Sequence, residues 1–322
     1  MNFFFQRFFS DLHTYMDLVN SWDLDFRQLD RGDFKGSLVQ YGYGDVQIGI
    51  TTINRKFDQR GSAPEKSITF CMLNPESPPI NWRSVEVDHQ KVMIYGPGDE
   101  IDCASEPGFS VTGYSISENL LSKLGRDMGM HRPEEALTRN KVLPISTQSQ
   151  KMLLGVFAET TRKVGPGGVG INTESVRCAL EVTIPRLILS ATAATQDIKI
   201  SSPLTNRRLR ALAAIERRLA MPTIPPTTVG ELCQVAGVSE RTLQYLLKQK
   251  YGITPKAYLK LVRLNGVHRA LYRTNSRKAK IADIANEWGF WHMGQFAKDY
   301  KGLFGELPSV KFSKRLTRGA IT

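Results

Sequence analysis

The chain has 322 residues, room for two ordinary domains, and carries 43 Lys+Arg against 31 Asp+Glu, a formal net charge of +12. No apolar run reaches the roughly 18–20 residues of a membrane span. Cys71, Cys103, Cys178 and Cys233 follow no CxxC spacing and the five histidines are scattered, which argues against a disulfide framework or a zinc site and for free thiols in a reducing compartment. The charge is unevenly placed: residues 206–322 hold 22 basic and 7 acidic residues (net +15), residues 1–205 hold 21 and 24 (net −3).

In chain order, residues 3–19 place Phe4, Phe5, Phe8, Leu12, Tyr15, Met16 and Val19 at helical spacing and predict an amphipathic helix. Arg7 and Asp11 interrupt any leader-like apolar run, so the expected location is the cytoplasm. Residues 36–115 read as β structure: 36–43 and 45–53 alternate at period two, and shorter runs follow at 67–73, 83–87, 92–95 and 109–115. Turn residues separate them, among them Asn74-Pro75, Pro78-Pro79 and Gly96-Pro97-Gly98, and this suggests a small sandwich or barrel. Helices are expected at 117–128 with Ser117 as cap, at 147–164, and at 173–193 with a kink or division at Pro185. The polar stretch 195–206 reads as a linker. Beyond it the expected helices are 207–220, 227–235, 239–250, 255–273, 280–287, 292–303 and 306–313.

Two of those helix pairs repeat. Val229 to Gly237 corresponds to Ile281 to Gly289 at an offset of 52; Leu243, Lys248, Gly252 and Pro255 correspond to Phe296, Lys301, Gly305 and Pro308 at an offset of 53. Each unit is an amphipathic helix, a Gly turn and a second helix, the sequence form of a helix-turn-helix. Gly237 and Gly289 supply the turn and Ser239 a cap for the helix that follows. Val229, Leu232, Leu243 and Leu246 are the expected core of the first unit, and Ile281, Ile284, Phe290 and Phe296 that of the second. Base edges should be met by Glu240, Arg241, Gln244 and Tyr245 in the first unit, since Arg pairs with guanine and Gln with adenine. In the second unit they should be met by His292, Met293, Gln295 and Lys298, a poorer hydrogen-bonding set that would mainly position the protein. The helix between the units is long enough to set two reading helices about one DNA turn apart.

These residues carry a resemblance. The run Gly237-Val-Ser239-x-Arg241-x-Leu243, with Lys248, Gly252-x-x-Pro255, Arg263-Leu264, Ile281-Ala-x-Ile-Ala285, Gly289-Phe290, Phe296 and Lys301-x-x-Phe304-Gly305-x-x-Pro308, resembles the DNA-binding domain of the AraC/XylS family of bacterial transcription regulators over residues 207–315. It departs from the family at Tyr245 and Lys298, where Arg is usual, at Leu247, where Phe is, and at Gly294-Gln295, where Ser-Tyr is. The N-terminal half is similar, less sharply, to the family's cupin-like sensor domains through Arg27-Gln-Leu-x-Arg31-Gly32-x-Phe34-x-Gly36, Pro97-Gly98-x-Glu100-Ile-Asp102 and Gly108-Phe109. His89 is the only histidine between residues 14 and 130, too few for a metallo-cupin.

The resemblance implies a two-domain α+β protein. Residues 1–194 would form a cupin-like β-barrel with flanking helices for sensing and dimerisation, 195–206 a linker, and 207–322 an all-α double helix-turn-helix. No catalytic residue, metal site or cofactor is expected. The expected partners are double-stranded DNA, a second copy of the chain and RNA polymerase, with no membrane. Arg27 and Arg31 form an RxxxR before the first predicted strand, similar to the arginine motif of PilZ-type receptors for cyclic di-GMP; guanidinium forks suit both phosphate and guanine. The companion [D/N]xSxxG is not matched. Trp82, Arg83 and Tyr95 are alternative ligand-lining residues inside the barrel. The expected function is a ligand-responsive, sequence-specific DNA-binding regulator, an activator whose effector is cyclic di-GMP. The alternatives are a regulator sensing another small molecule in the barrel, or a cupin enzyme with an accessory DNA-binding module.

Overall fold

The computed structural model describes residues 2–19, 22–83, 85–139, 141–193, 206–220, 228–274 and 279–318. The chain opens as β1 (Phe3–Phe9), α1 (Leu12–Leu18) and β2 (Asp23–Gln28), not as one helix over 3–19. The reason is tertiary. Phe3–Phe9 lies antiparallel to β3 (Gly36–Tyr43), with Phe3 opposite Gly42 and Phe9 opposite Gly36, and a phenylalanine-rich run suits a pleated, half-buried surface. Asp11 then starts the shorter helix, its carboxylate accepting the His13 N–H at 2.9 Å.

The strands continue as β4 (Val46–Ile53), β5 (Phe57–Ser62), β6 (Ser67–Leu73), β7 (Ile80–Trp82), β8 (Val85–Val87), β9 (Lys91–Tyr95), β10 (Glu100–Ala104) and β11 (Phe109–Ser117). After α2 (Glu118–Asp127), capped by Ser117, come α3 (Pro133–Arg139), β12 (Val142–Pro144), α4 (Thr147–Val164), α5 (Glu174–Cys178) and α6 (Ile184–Ala193). Between α5 and α6 the chain makes one π-helical turn, Ala179–Thr183. The expected break at Pro185 thus falls a turn earlier, because the proline ring crowds the carbonyl four residues before it, at Glu181.

Among the described residues the strands form two antiparallel sheets. One has the order β1-β3-β4-β11-β6-β9-β12, the other β2-β5-β10-β7-β8. Between them lies a core of Phe26, Phe57, Ile101, Leu38, Ile53, Met93 and Phe109. The outer face of the seven-stranded sheet, through Tyr41, Ile48, Ile68 and Tyr114, carries the helices: Leu153, Phe157, Val176, Leu180, Ile184 and Ile188 are buried against it. The apolar faces of α4 and α6 are therefore used up by the sheet, leaving Met152 as the large exposed apolar residue of α4.

The expected linker lies outside the described residues apart from Asn206, which opens α7 (Asn206–Ala220). The remaining helices are α8 (Val229–Ala236), α9 (Glu240–Tyr251), α10 (Pro255–Arg273), α11 (Ile281–Glu287), α12 (Met293–Phe304) and α13 (Pro308–Arg318). Thr228 and Glu231 close a reciprocal cap on α8, and Ser239 accepts the Thr242 N–H to start α9. Gly237 (φ 62°) and Gly289 (φ 78°) make the two left-handed turns. Leu232, Leu243 and Leu246 are buried with Leu212 and Ile215 of α7. Ile284 and Phe296 are buried with Leu264, Val267 and Leu271 of α10, while Val229, Ile281 and Phe290 pack at the edges. One helix, α10, thus lends its first half to the first core and its second half to the other.

Candidate nucleic-acid interface and the seam behind it

On α9 the residues at i, i+1, i+4 and i+5 share one face. Glu240, Arg241, Gln244 and Tyr245 occupy it and all four are exposed, while Leu243, Leu246 and Leu247 on the other side are buried. On α12 His292, Gln295 and Lys298 are exposed, Met293 is partly so, and Phe296 points into the core. Among the described residues neither Arg241 nor Lys298 is held in an ion pair. With 19 residues, α10 separates the two units by about 28 Å along its axis. A helix start in the major groove presents its first turn to base edges, and the α9 face offers a guanidinium and a carboxamide there.

The opposite side of the domain is docked on the five-stranded sheet. Strand alternation sends Phe26, Phe57, Ile101 and Cys103 inward and Asp25, Arg27, Asp58, Arg60 and Asp102 outward. Cross-strand register sets Arg27 opposite Asp58, Asp25 opposite Arg60 and Arg60 opposite Asp102, so the outer face is a lattice of alternating charge. The helical domain completes it. Glu216 of α7 meets Arg60 at 2.8 Å and Arg27 at 3.4 Å; Lys250 of α9 meets Asp102 at 2.5 Å. Tyr258 Oη accepts from Arg27 at 3.2 Å, and Tyr251 donates to Glu216 at 2.8 Å. Arg269 pairs with Asp25. Four cations face four carboxylates, with Arg27, Asp58, Glu216 and Lys250 all buried.

Burial alone would lower the basicity of Arg27 and Arg60. Instead Tyr258, Glu216 and Asp58 around Arg27, and Asp58 and Glu216 around Arg60, raise it. Burial likewise pushes the Asp58 carboxyl up, but Arg60, Arg27 and Lys250 outweigh it and hold it below the usual range. Burial, reinforced by Asp58 and Glu216, drives the Tyr251 and Tyr258 hydroxyls up. Beside this lattice Asn265 bonds both the N–H and the C=O of Gln28, at 2.9 and 3.0 Å, and the Gln28 side chain donates to Leu303 O at 2.7 Å. Asp58, Arg60, Glu216, Lys250 and Tyr258 belong to no motif in the sequence. Their signal is the alternation in Phe57-Asp58-Gln59-Arg60, and a carboxylate, Glu216, inside a basic helix.

A second contact joins α1 to α10. His13 stacks on His268 at 5.3 Å and on Tyr272 at 4.8 Å, and His268 Nδ1 lies 2.6 Å from Tyr300 Oη. Burial lowers His268 to about 3, and burial, then His268, Arg269 and Arg273, lowers His13 well below its ordinary value. Both rings are therefore neutral when docked, while the unfolded chain takes up protons near pH 6.5. The folded pKa values are depressed for bases, so the unfolded state binds more protons and stability is lost as pH falls below about 6.5. Thermal midpoints taken between pH 7 and pH 5 should fall for the wild type and fall less for His13→Phe. Parallel curves would show that this pair does not drive the loss.

The ligand-lining expectations divide. Between the sheets lies a cavity of about 100 Å³ whose wall includes Tyr15, Gln40, Gln59, Cys71 and Tyr95. Tyr95 is on this wall, accepting a hydrogen bond from the Trp82 indole at 2.5 Å. Trp82 and Arg83 are not. Trp82 is buried behind Tyr95, and Arg83, at φ 47°, turns outward and lays its guanidinium over the Trp82 ring at 4.8 Å. β7 ends at Trp82, and the left-handed turn at Arg83 takes that side chain out of the strand pattern. Arg27 is 4% exposed and committed to the lattice, whereas Arg31 is exposed on the loop after β2. Among the described residues no group of three or more His, Cys, Asp or Glu is arranged to hold a metal ion, and no helix is long and apolar enough to cross a membrane.

Residues 232–313 match the family model described as a helix-turn-helix domain. Over 84 residues the chain is 38% identical to the "Probable thc operon regulatory protein" of Rhodococcus erythropolis, 26% of this chain and 25% of that one. Over 82 residues it is 37% identical to the "XylDLEGF operon transcriptional activator" of Pseudomonas putida, 26% of each chain. The matches span about a quarter of the length of these curated relatives. Residues 232–313, which hold α9 and α12, are thus a helix-turn-helix domain. The crystal structure of the AraC-like transcriptional activator CuxR aligns over 89% of this chain and all of its own, at 17% identity and a TM-score of 0.45.

Proposed function

We propose that the whole chain is a sequence-specific transcription regulator, an activator, whose β-rich N-terminal domain (residues 1–194) governs the DNA-binding helices (207–322) through the charged seam. The observation that carries this reading is the pair of exposed polar faces on α9 and α12, set on a basic domain and held by two separate cores. Enrichment of duplexes from a random pool by the full chain tests it. The selected DNA should bind with an affinity that falls steeply with salt, as phosphate contacts release counterions. Homodimerisation and contact with RNA polymerase belong to the same proposal; light scattering on the full chain tests the first.

The effector in this reading is a molecule that competes for Arg27. Any anion that takes Arg27 must displace Asp58 and Glu216, and so frees α7 from the sheet. Cyclic di-GMP carries two phosphates and two guanines, both suited to guanidinium groups, and Arg31 stands exposed four residues on. Since Arg27 is closed to solvent when the domains are docked, binding should be coupled to opening of the seam. Calorimetry should give heat with the wild type, none with Arg27→Ala, and tighter binding with Glu216→Gln, which loosens the competitor. No heat with the wild type, or undiminished binding by Arg27→Ala, would remove cyclic di-GMP and leave the cavity around Tyr95 as the place for a different small molecule.

A further inference from the structure

The two turns differ in length by one residue, and that residue is Trp291. Gly237 and Val238 match Gly289 and Phe290 at an offset of 52; the caps Ser239 and His292, and the first helical residues Glu240 and Met293, match at 53. Trp291 alone has no counterpart in the first unit. The fold makes little use of it. Its side chain is 71% exposed, whereas Phe290 beside it packs on Phe296 at 5.1 Å and Trp288 fits against Gly266. It stands immediately before the end of α12 that a helix-turn-helix offers to the groove.

The register also shows what the second unit lacks. The place held by Arg241 in α9 is held in α12 by Gly294, and the space a side chain would fill there is open. A base edge can therefore approach the α12 backbone closely, beside an indole rather than a guanidinium. Apolar contact in the major groove selects the one base that carries a methyl group there.

Resting on the DNA-binding reading above, we propose that Trp291 is a specificity residue of the second unit and packs on the 5-methyl group of a thymine. Full-length protein and a duplex enriched by it from a random pool supply the test. Each thymine is replaced in turn by deoxyuridine, which removes only the methyl, and binding is followed by fluorescence anisotropy. The wild type should lose about fourfold at one position, the value of one buried methyl-sized group. Trp291→Ala should bind the thymine duplex more weakly and be indifferent to that position; Trp291→Phe should keep the sensitivity. Indifference of the wild type to every replacement, or an undiminished penalty in Trp291→Ala, would overturn the assignment while Arg241→Ala still weakens binding. A pool from which the wild type enriches nothing would overturn the DNA-binding reading itself.

Discussion

Replacing Asp58 by alanine should lower the stability of the full chain by about 3–5 kcal/mol, the usual cost of removing one member of a buried ion network. Asp58 is 0% exposed. Its carboxylate meets Arg60 at 3.1 Å and Arg27 at 3.8 Å, and accepts from Tyr251 and Tyr258 at 3.3 Å. Without it the buried Arg27 and the half-buried Arg60 are left with Asp25, Glu216 and Asp102, and two tyrosine hydroxyls lose an acceptor. The large term is the charge left behind, not the attraction lost, so an exposed pair should behave differently. Glu159→Ala, which breaks a solvent-facing pair with Arg162 on α4, should leave the urea midpoint unmoved. A shift for Asp58→Ala no larger than that for Glu159→Ala would mean that water already screens the seam.

Arg241→Ala should weaken binding to the selected duplex by about 1–3 kcal/mol, roughly 5- to 150-fold, and relax preference at one base pair. The side chain stands on the exposed face of the first turns of α9 while the next turn of the helix is anchored by Leu243 and Leu246, so the guanidinium is presented by a fixed backbone. Because the contact is to a base, the salt dependence should change little. The matching backbone control is Lys248, exposed farther along α9. Its replacement should weaken all sequences alike and flatten the salt slope by about one. Equal weakening of selected and random DNA by Arg241→Ala would place this arginine on phosphate instead.

What could be read from the chain depended on whether a segment's pattern reports its own surroundings. The helical domain was legible almost residue by residue, because each helix is bounded by local chemistry: Thr228 and Glu231, Ser239, Pro255, Gly237 and Gly289. Strands β3, β4 and β11 were legible because their alternation is long. Strands β2, β5 and β10 were not, since each is five or six residues long and spends its outward positions on charge, as in Phe57-Asp58-Gln59-Arg60. That composition resembles a loop until a second domain covers it. Phe3–Phe9 failed for the opposite reason: helical spacing and strand pairing were both open to it, and β3 decided. The exposed faces of α9 and α12 were legible because helix phase alone fixes them. The seam was not, because the charges that join its two sides lie far apart in the sequence: Glu216 meets Arg27 and Arg60, Lys250 meets Asp102, and Arg269 meets Asp25.

The charge lattice on the five-stranded sheet also bears on how such a protein can change by exchange of parts. A greasy junction accepts many partners of roughly the right shape, but here Asp102 is answered by Lys250, Asp25 by Arg269, and Arg27 and Arg60 by Glu216. A helix-turn-helix module grafted from another protein would bring its own α7, α9 and α10. Unless it carried the matching acid and bases, it would strand charges away from water. New recognition modules could therefore be acquired only together with their docking residues, or by altering the two exposed faces in place.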